Sequence, residues 1–264
     1  MTIQLINHRK QEMKIVISPA KSLDYETPIP SKQFTQGIFL DEASKINAVL
    51  KKKTPKQLSA LMSISPNLGD LNWQRNQEWA LPFSPENSRQ AIFAFKGEVY
   101  VGLDAYSLSL EKLDLLQNKL RILSGQYGLL KPFDLMQPYR LEMGTKLKVG
   151  NSANLYQFWG NTITEKLNSE LTDNELFINL SSAEYFKSVQ PALLKVTVIT
   201  PVFKDLKDGK LKIIAFFAKK ARGLMVRYII DHQIETLDGL KNFNVEGYAF
   251  DANLSTTNEL VFTR

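Results

Sequence analysis

The chain has 264 residues, of which 44 % are hydrophobic, enough to bury a sizeable core. It holds no cysteine and only two histidines, His8 and His232, which excludes a disulfide framework, a thiolate nucleophile and the usual cysteine or histidine metal centres. A charge of +6, from 33 Lys+Arg against 27 Asp+Glu, permits a nucleic-acid or phosphate partner without specifying one.

Residues 1–12 are polar and irregular and read as a variable extension, leaving residues 13–264 as one domain-sized unit. No stretch approaches the roughly 18 uninterrupted apolar residues of a membrane helix, and no signal peptide is visible, so a cytoplasmic protein is expected. Met13 opens the strand pattern MKIVIS. Its apolar run stops at Ser18-Pro19 and delivers Lys21 just beyond the carboxyl end, a usual place for ligand-binding loops in α/β proteins. The loop has no glycine, which rules out a P-loop.

Residues 31–90 read as mainly helical. Ala43, Ile46 and Leu50 fall at helical spacing, and Thr54-Pro55-Lys56-Gln57 supplies a capping box with proline at the first helical position. Ser65-Pro66 and Ser84-Pro85-Glu86 repeat the Ser-Pro start signal. In AIFAFKGEVYVGL, two apolar segments around Lys96-Gly97 predict strands or a helix-to-strand passage. Leu113, Leu116, Leu120 and Leu123 then step by three and four, which predicts a helix, or a helix running into a short strand, ending at Ser124-Gly125.

The next stretch is LRILSGQYGLLKPFDLMQPYRLEMGTKL. Gly125 and Gly128 allow a sharp turn, and helices on both sides would make a relative of the helix-hairpin-helix, whose backbone N–H groups bind DNA phosphates. The glycines are spaced by three where that motif uses two, and a purely structural turn fits as well. Arg140 has two readings. It is either locked to Asp134 or Glu142, or it faces a cleft and binds phosphate.

The remaining chain alternates: a helix over 156–167, a strand over 176–180, a helix from Ser182 capped by Ser181 or Ser182 with Glu184, a strand over 196–203, a turn at Lys207-Asp208-Gly209-Lys210, a strand over 211–217, a long helix from Lys219, and a closing hairpin of Gly247-Tyr248 with Leu260-Val261-Phe262. Strands mixed with helices in this way predict a mixed sheet in an α/β (mixed α+β) globule rather than a Rossmann array. On the long helix, Lys219, Lys220, Gly223 and Arg227 share a sector about 100° wide with Arg222 on its flank. They form either a phosphate-facing ridge, with Gly223 permitting close approach, or a solvated charged face.

The stretches ISPAKSLDY, PENSRQAIFAFKGEVYVGL, LSGQYGLLKPFDLMQPYRLEMG, LYQFWG, INLSSAEYFKSV and KIIAFFAKKARGLMVRYII give the chain a resemblance to the YaaA family of peroxide-stress proteins over residues 13–264. The resemblance implies a cytosolic protein, induced by peroxide, that limits free intracellular iron and hydroxyl-radical damage. It further implies a single α/β globule with a positively charged cleft, a helix-hairpin-helix-like element and binding of duplex and distorted DNA. Carried over onto matching positions, it makes Lys21, Lys96, Lys131, Arg140, Lys187, Lys219, Lys220, Arg222 and Arg227 phosphate contacts, with Tyr127, Tyr139 and Tyr185 available to stack on bases.

A second reading is an enzyme acting on a nucleotide or other phosphorylated or acidic small molecule. Ser18, Lys21, Tyr139, Arg140, Glu142, Glu184 and Lys187 offer acid, base and hydroxyl chemistry, and Lys21 would serve as nucleophile or proton shuttle if burial lowered its pKa. No cofactor and no tight metal site is expected, since an iron site would have to be built from carboxylates.

Overall fold

The computed structural model describes residues 13–264; the expected extension at 1–12, with His8, lies outside the described residues. The principal sheet has eight strands: β1 Met13–Ile17, β2 Leu120–Ser124, β3 Gly128–Leu130, β4 Leu176–Leu180, β5 Val198–Lys207, β6 Lys210–Lys212, β7 Ala249–Phe250 and β8 Glu259–Thr263. Their order is β7-β8-β5-β4-β1-β2-β3, with β6 paired to β5. The five inner strands, β8-β5-β4-β1-β2, run parallel, while β3, β6 and β7 join antiparallel. The sheet is therefore mixed, with a parallel centre.

Parallel strands covered on both faces read as continuous apolar runs, and LRILS and LFINL are buried at every position. The buried arginine of β2 comes with a partner: Arg121 donates through Nε to Glu170 Oε2 at 2.7 Å. The order also creates a switch point. From β1 the chain goes to β2 on one side, and from β4 to β5 on the other, so the loops after β1 and β4 diverge and leave a crevice at their carboxyl ends.

The helices that frame this crevice and brace the sheet are α1 Leu40–Leu50, α2 Pro55–Met62, α3 Pro66–Glu78, α4 Glu98–Leu103, α5 Leu110–Lys119, α6 Thr162–Glu170 and α7 Ala215–Asp231. The Thr54–Gln57 capping box forms, with both reciprocal hydrogen bonds, and Ser65 caps α3 by accepting from Leu68 N. Ser84-Pro85-Glu86 starts no helix; Asn87 Oδ1 accepts from Ser84 N and closes a turn instead. The segment GEVYVGL is helical, as α4, and the expected strand at 211–217 stops at Lys212, with α7 beginning at Ala215.

The helix-hairpin-helix reading of the Gly125–Gly128 turn is corrected. The turn joins two antiparallel strands, β2 and β3, with Gly128 at φ +65° and no room for a side chain against the Trp159 ring. Two helices joined by a three-residue turn occur elsewhere, as α2 and α3, which pack on one another. No helix among the described residues is long and apolar enough to cross a membrane.

Candidate functional site

The crevice at the switch point is a cavity of about 450 Å³. Its floor is set by the loops after β1 and β4: Ser182 N donates to Ser18 Oγ at 2.9 Å, and Ser18 Oγ donates to Ser182 Oγ at 3.3 Å. Tyr100 of α4 reinforces the first loop by donating to Ser18 O at 3.1 Å. Tyr139, Arg140 and Glu142 form one wall, Lys96 and Glu98 another, and Lys219 and Arg222 of α7 a third.

A side chain at Gly223 would place its Cβ 1.9 Å from Val99 O, and one at Gly102 would place its Cβ 2.2 Å from Lys220 O. Gly223 therefore permits close approach of α4, and the expected approach of a phosphate at this residue is corrected. That contact seats the start of α7 and points Lys219 and Arg222 into the cleft.

The polar groups divide into those already satisfied and those held open. Lys21 ion-pairs with Glu142, and Lys96 lies 3.9 Å from Asp24 Oδ2. Lys21 is 62 % exposed, so the burial its nucleophilic role called for is absent. Glu184 Oε1 accepts from Gly144 N at 2.8 Å and does not complete a helix cap, and Ser182 makes no side-chain cap bond. Burial pushes the Tyr100, Tyr139 and Tyr185 hydroxyls well up, which keeps them neutral donors. Tyr139 Oη shares a 2.7 Å hydrogen bond with Ser124 Oγ.

Arg140 and Arg222 differ. Among the described residues neither has a carboxylate within ion-pair distance, although both line the same cleft. Glu142, one of the two expected partners of Arg140, is taken by Lys21; Asp134, the other, accepts from Thr35 Oγ1 and Lys131 N. Burial pulls the Arg222 guanidinium below its ordinary value, yet it remains charged, because guanidinium cannot be deprotonated in a protein. A partly buried cation without a partner is costly, and an anion beside it would offset that cost.

The other expected residues lie elsewhere. Lys220 pairs with Glu246 at 2.6 Å, and Arg227 bonds Asp231 and Ser107 Oγ, both at 2.6 Å, so the ridge predicted on α7 divides between the cleft and two structural links. Lys131 lines a different cavity beside Arg121, and Lys187 lies over the Tyr156 ring at 4.9 Å. Tyr127 is 1 % exposed, accepts from Trp79 Nε1, donates to Gln137 O and packs edge-on with Phe83 and Tyr139, which leaves no face for an external base. Tyr139 and Tyr185 line the cleft but are buried, which leaves little ring surface for a base to stack on.

Arg75 of α3 was not singled out in the sequence and belongs among the functional candidates. It is half-buried and has no carboxylate partner among the described residues; its contact is Asn72 Oδ1 at 3.4 Å. One arginine in a polar helix carries no periodic signal, so only its neighbours reveal it. No group of three or more His, Cys, Asp or Glu among the described residues is placed to hold a metal ion.

Residues 13–254 match the family model described as "Peroxide stress protein YaaA". A UPF0246 protein of Flavobacterium johnsoniae is 66 % identical over 96 % of this chain and 100 % of its own length. UPF0246 proteins of Flavobacterium psychrophilum, at 64 % with the same coverage, and of Hahella chejuensis, at 52 % over 96 % of this chain and 99 % of its own, are also similar.

Proposed function

Since the chain belongs to the peroxide stress protein YaaA family, we propose that it protects the cell during peroxide stress from within the cytoplasm, by binding DNA phosphates in the switch-point cleft. The observation that carries this reading is the pair Arg140 and Arg222, two guanidiniums without carboxylates facing one cavity, with Lys219 exposed at its rim. Guanidinium is the side chain suited to bidentate phosphate contact, and unpaired cations are what counterion release needs. The reading includes a contribution to limiting free intracellular iron, which the family resemblance supports.

The test is fluorescence anisotropy with duplex, bubble and single-stranded DNA over a range of salt, comparing the wild type with Arg140→Gln/Lys219→Ala/Arg222→Gln. Salt-sensitive binding that falls at least about tenfold in the folded variant is expected from the loss of three phosphate contacts. Equal binding by the two proteins would move the DNA contact out of the cleft. For the iron effect, free iron measured in peroxide-treated cells with and without the protein should be lower with it.

The enclosure of the cleft favours a second reading, an enzyme acting on a nucleotide or other phosphorylated small molecule. Ser18, the Lys21–Glu142 pair, Arg140 and Glu184 share one cavity of about 450 Å³, a size suited to a single ligand. Turnover of a nucleotide by the wild type, abolished in Arg140→Gln, would select this reading over DNA binding.

A further inference from the structure

The cleft offers cations for phosphate but no exposed ring for a base, since its tyrosines Tyr100, Tyr139 and Tyr185 are buried. Five Phe, Tyr or Trp residues are exposed among the described residues: Phe34, Trp73, Tyr106, Phe216 and Phe217. Only the last two stand on an element that lines the cleft, the helix α7. Phe217 is partly engaged, with the Arg264 guanidinium 5.0 Å from its ring centroid and a neighbouring cavity shared with Leu206. Phe216 is 55 % exposed and packs edge-on with Phe217, ring centroids 5.6 Å apart. Residues three apart are neighbours on a helix surface, so Phe216, Lys219 and Arg222 form one row, each step about 4.5 Å along the axis. Arg222 is half-buried in the cleft, Lys219 is exposed at its rim, and Phe216 lies one step further out.

We propose that Phe216 is a stacking platform for an unpaired base of a strand whose phosphates lie on Lys219 and Arg222. The proposal rests on the DNA-binding function proposed for the cleft and names its ligand class: nucleic acid with unpaired bases, not continuous duplex. An aromatic ring beside a cationic groove holds single strands whatever their sequence, because every nucleotide has a phosphate and every base a face. In a continuous duplex the faces of each base are already covered by its neighbours. The surroundings favour a polyanion over a second copy of this chain. Phe216 and Phe217 continue an exposed apolar patch of Leu206, Leu211 and Ile213, a kind of surface that also pairs proteins. The ion pair of the adjoining hairpin is Lys212 with Asp208, at 3.6 Å, which leaves Lys207 and Lys210 as open cations around the patch. A two-fold contact through this face would bring the like charges of two copies together, whereas a strand's phosphates meet them favourably.

The experiment measures fluorescence anisotropy of the wild type, Phe216→Ala, Phe216→Leu and Arg222→Gln at several salt concentrations. The probes are a labelled single-stranded oligonucleotide, an abasic oligonucleotide of the same length, and a continuous duplex. Phe216→Ala weakens single-strand binding about five- to a hundredfold, the range for one base stacked on an aromatic ring, and leaves duplex binding within about twofold. Its slope of log affinity against log salt stays that of the wild type, because the ring carries no charge, whereas Arg222→Gln lowers the slope by about 0.7. The wild type prefers the oligonucleotide with bases over the abasic one, and Phe216→Ala loses most of that preference, a coupling that a merely structural phenylalanine does not produce. Phe216→Leu, which keeps an apolar side chain on the fold, behaves as Phe216→Ala does; wild-type affinity in this variant overturns stacking. Equal weakening of all three probes in Phe216→Ala also overturns it, as a loss of structure. Single-strand affinity unchanged in Phe216→Ala but reduced in Arg222→Gln overturns the platform and leaves the cleft standing. A wild-type dimer in sedimentation that Phe216→Ala dissociates, with DNA affinity unchanged, assigns the ring to a second copy and overturns the platform. A wild type that binds none of the probes overturns the cleft and the platform together.

Discussion

Ser18 and Ser182 stand just beyond the carboxyl ends of neighbouring parallel strands and are joined twice, once from backbone N–H to hydroxyl and once between hydroxyls. The link holds together two loops that the topology sends in opposite directions, at the place where a ligand would sit. Ser18→Ala should cost only about 1 kcal/mol, because water in the cleft can replace the lost acceptor. Ligand affinity should fall more than stability does, since the two loops are no longer fixed to one another. Urea denaturation alongside DNA or nucleotide titration checks this, and an affinity unchanged in the variant would remove the link from the site.

Gly223→Ala should be far more damaging. Backbone lies on both sides of the α4–α7 contact, so the added methyl, 1.9 Å from Val99 O, cannot be relieved by a rotamer change. Overpacking typically costs about 1–3 kcal/mol, and the upper end is expected here. Because α7 carries Lys219 and Arg222, phosphate binding should weaken in parallel. A melting temperature within a degree of the wild type would show that the helices part without penalty.

The parts of this fold that were legible are those settled within a few residues. The Thr54–Gln57 box satisfies its own N–H groups, and MKIVIS ends where Ser18-Pro19 ends it. What misled was decided at a distance. GEVYVGL has β-branched residues and reads as strand, but packing of Gly102 on α7 makes it helix. Arg140 was visible as a residue with two fates; its freedom depended on Glu142 pairing with Lys21, far earlier in the chain, a choice that no local pattern records. The positive ridge on α7 failed as a unit for the same reason, since Asp231, Asp104 and Glu246 claim half of it.

That division predicts opposite behaviour for two arginines on the same helix. Arg227→Ala should lose about 1–2 kcal/mol with the Asp231 and Ser107 bonds and leave the salt dependence of DNA binding unchanged. Arg222→Met removes a partly buried cation that has no carboxylate partner, so stability should hold or rise by up to about 2 kcal/mol while phosphate binding falls. Denaturant midpoints and anisotropy on both variants decide it. Loss of stability in Arg222→Met would mean that the guanidinium has a structural partner in solution.

The Arg121–Glu170 pair makes the last prediction, on acid stability. Side-chain exposure is only 5 % for Arg121 and 12 % for Glu170. Burial pushes the Glu170 carboxyl up, but Arg121 and Lys166 outweigh it and hold the group below its ordinary value. A carboxyl depressed on folding binds fewer protons than in the unfolded chain, so its stabilisation is complete above the unfolded pKa of about 4.3 and is lost as pH falls through the lower folded value. Glu170→Gln leaves Arg121 buried without its counter-charge and should cost about 3 kcal/mol at neutral pH. The gap between variant and wild type should shrink as pH drops below about 4, because the wild type then protonates the same carboxyl. Urea denaturation between about pH 3 and 7 measures that gap, and a difference constant across the range would show that the loss comes from packing and not from charge.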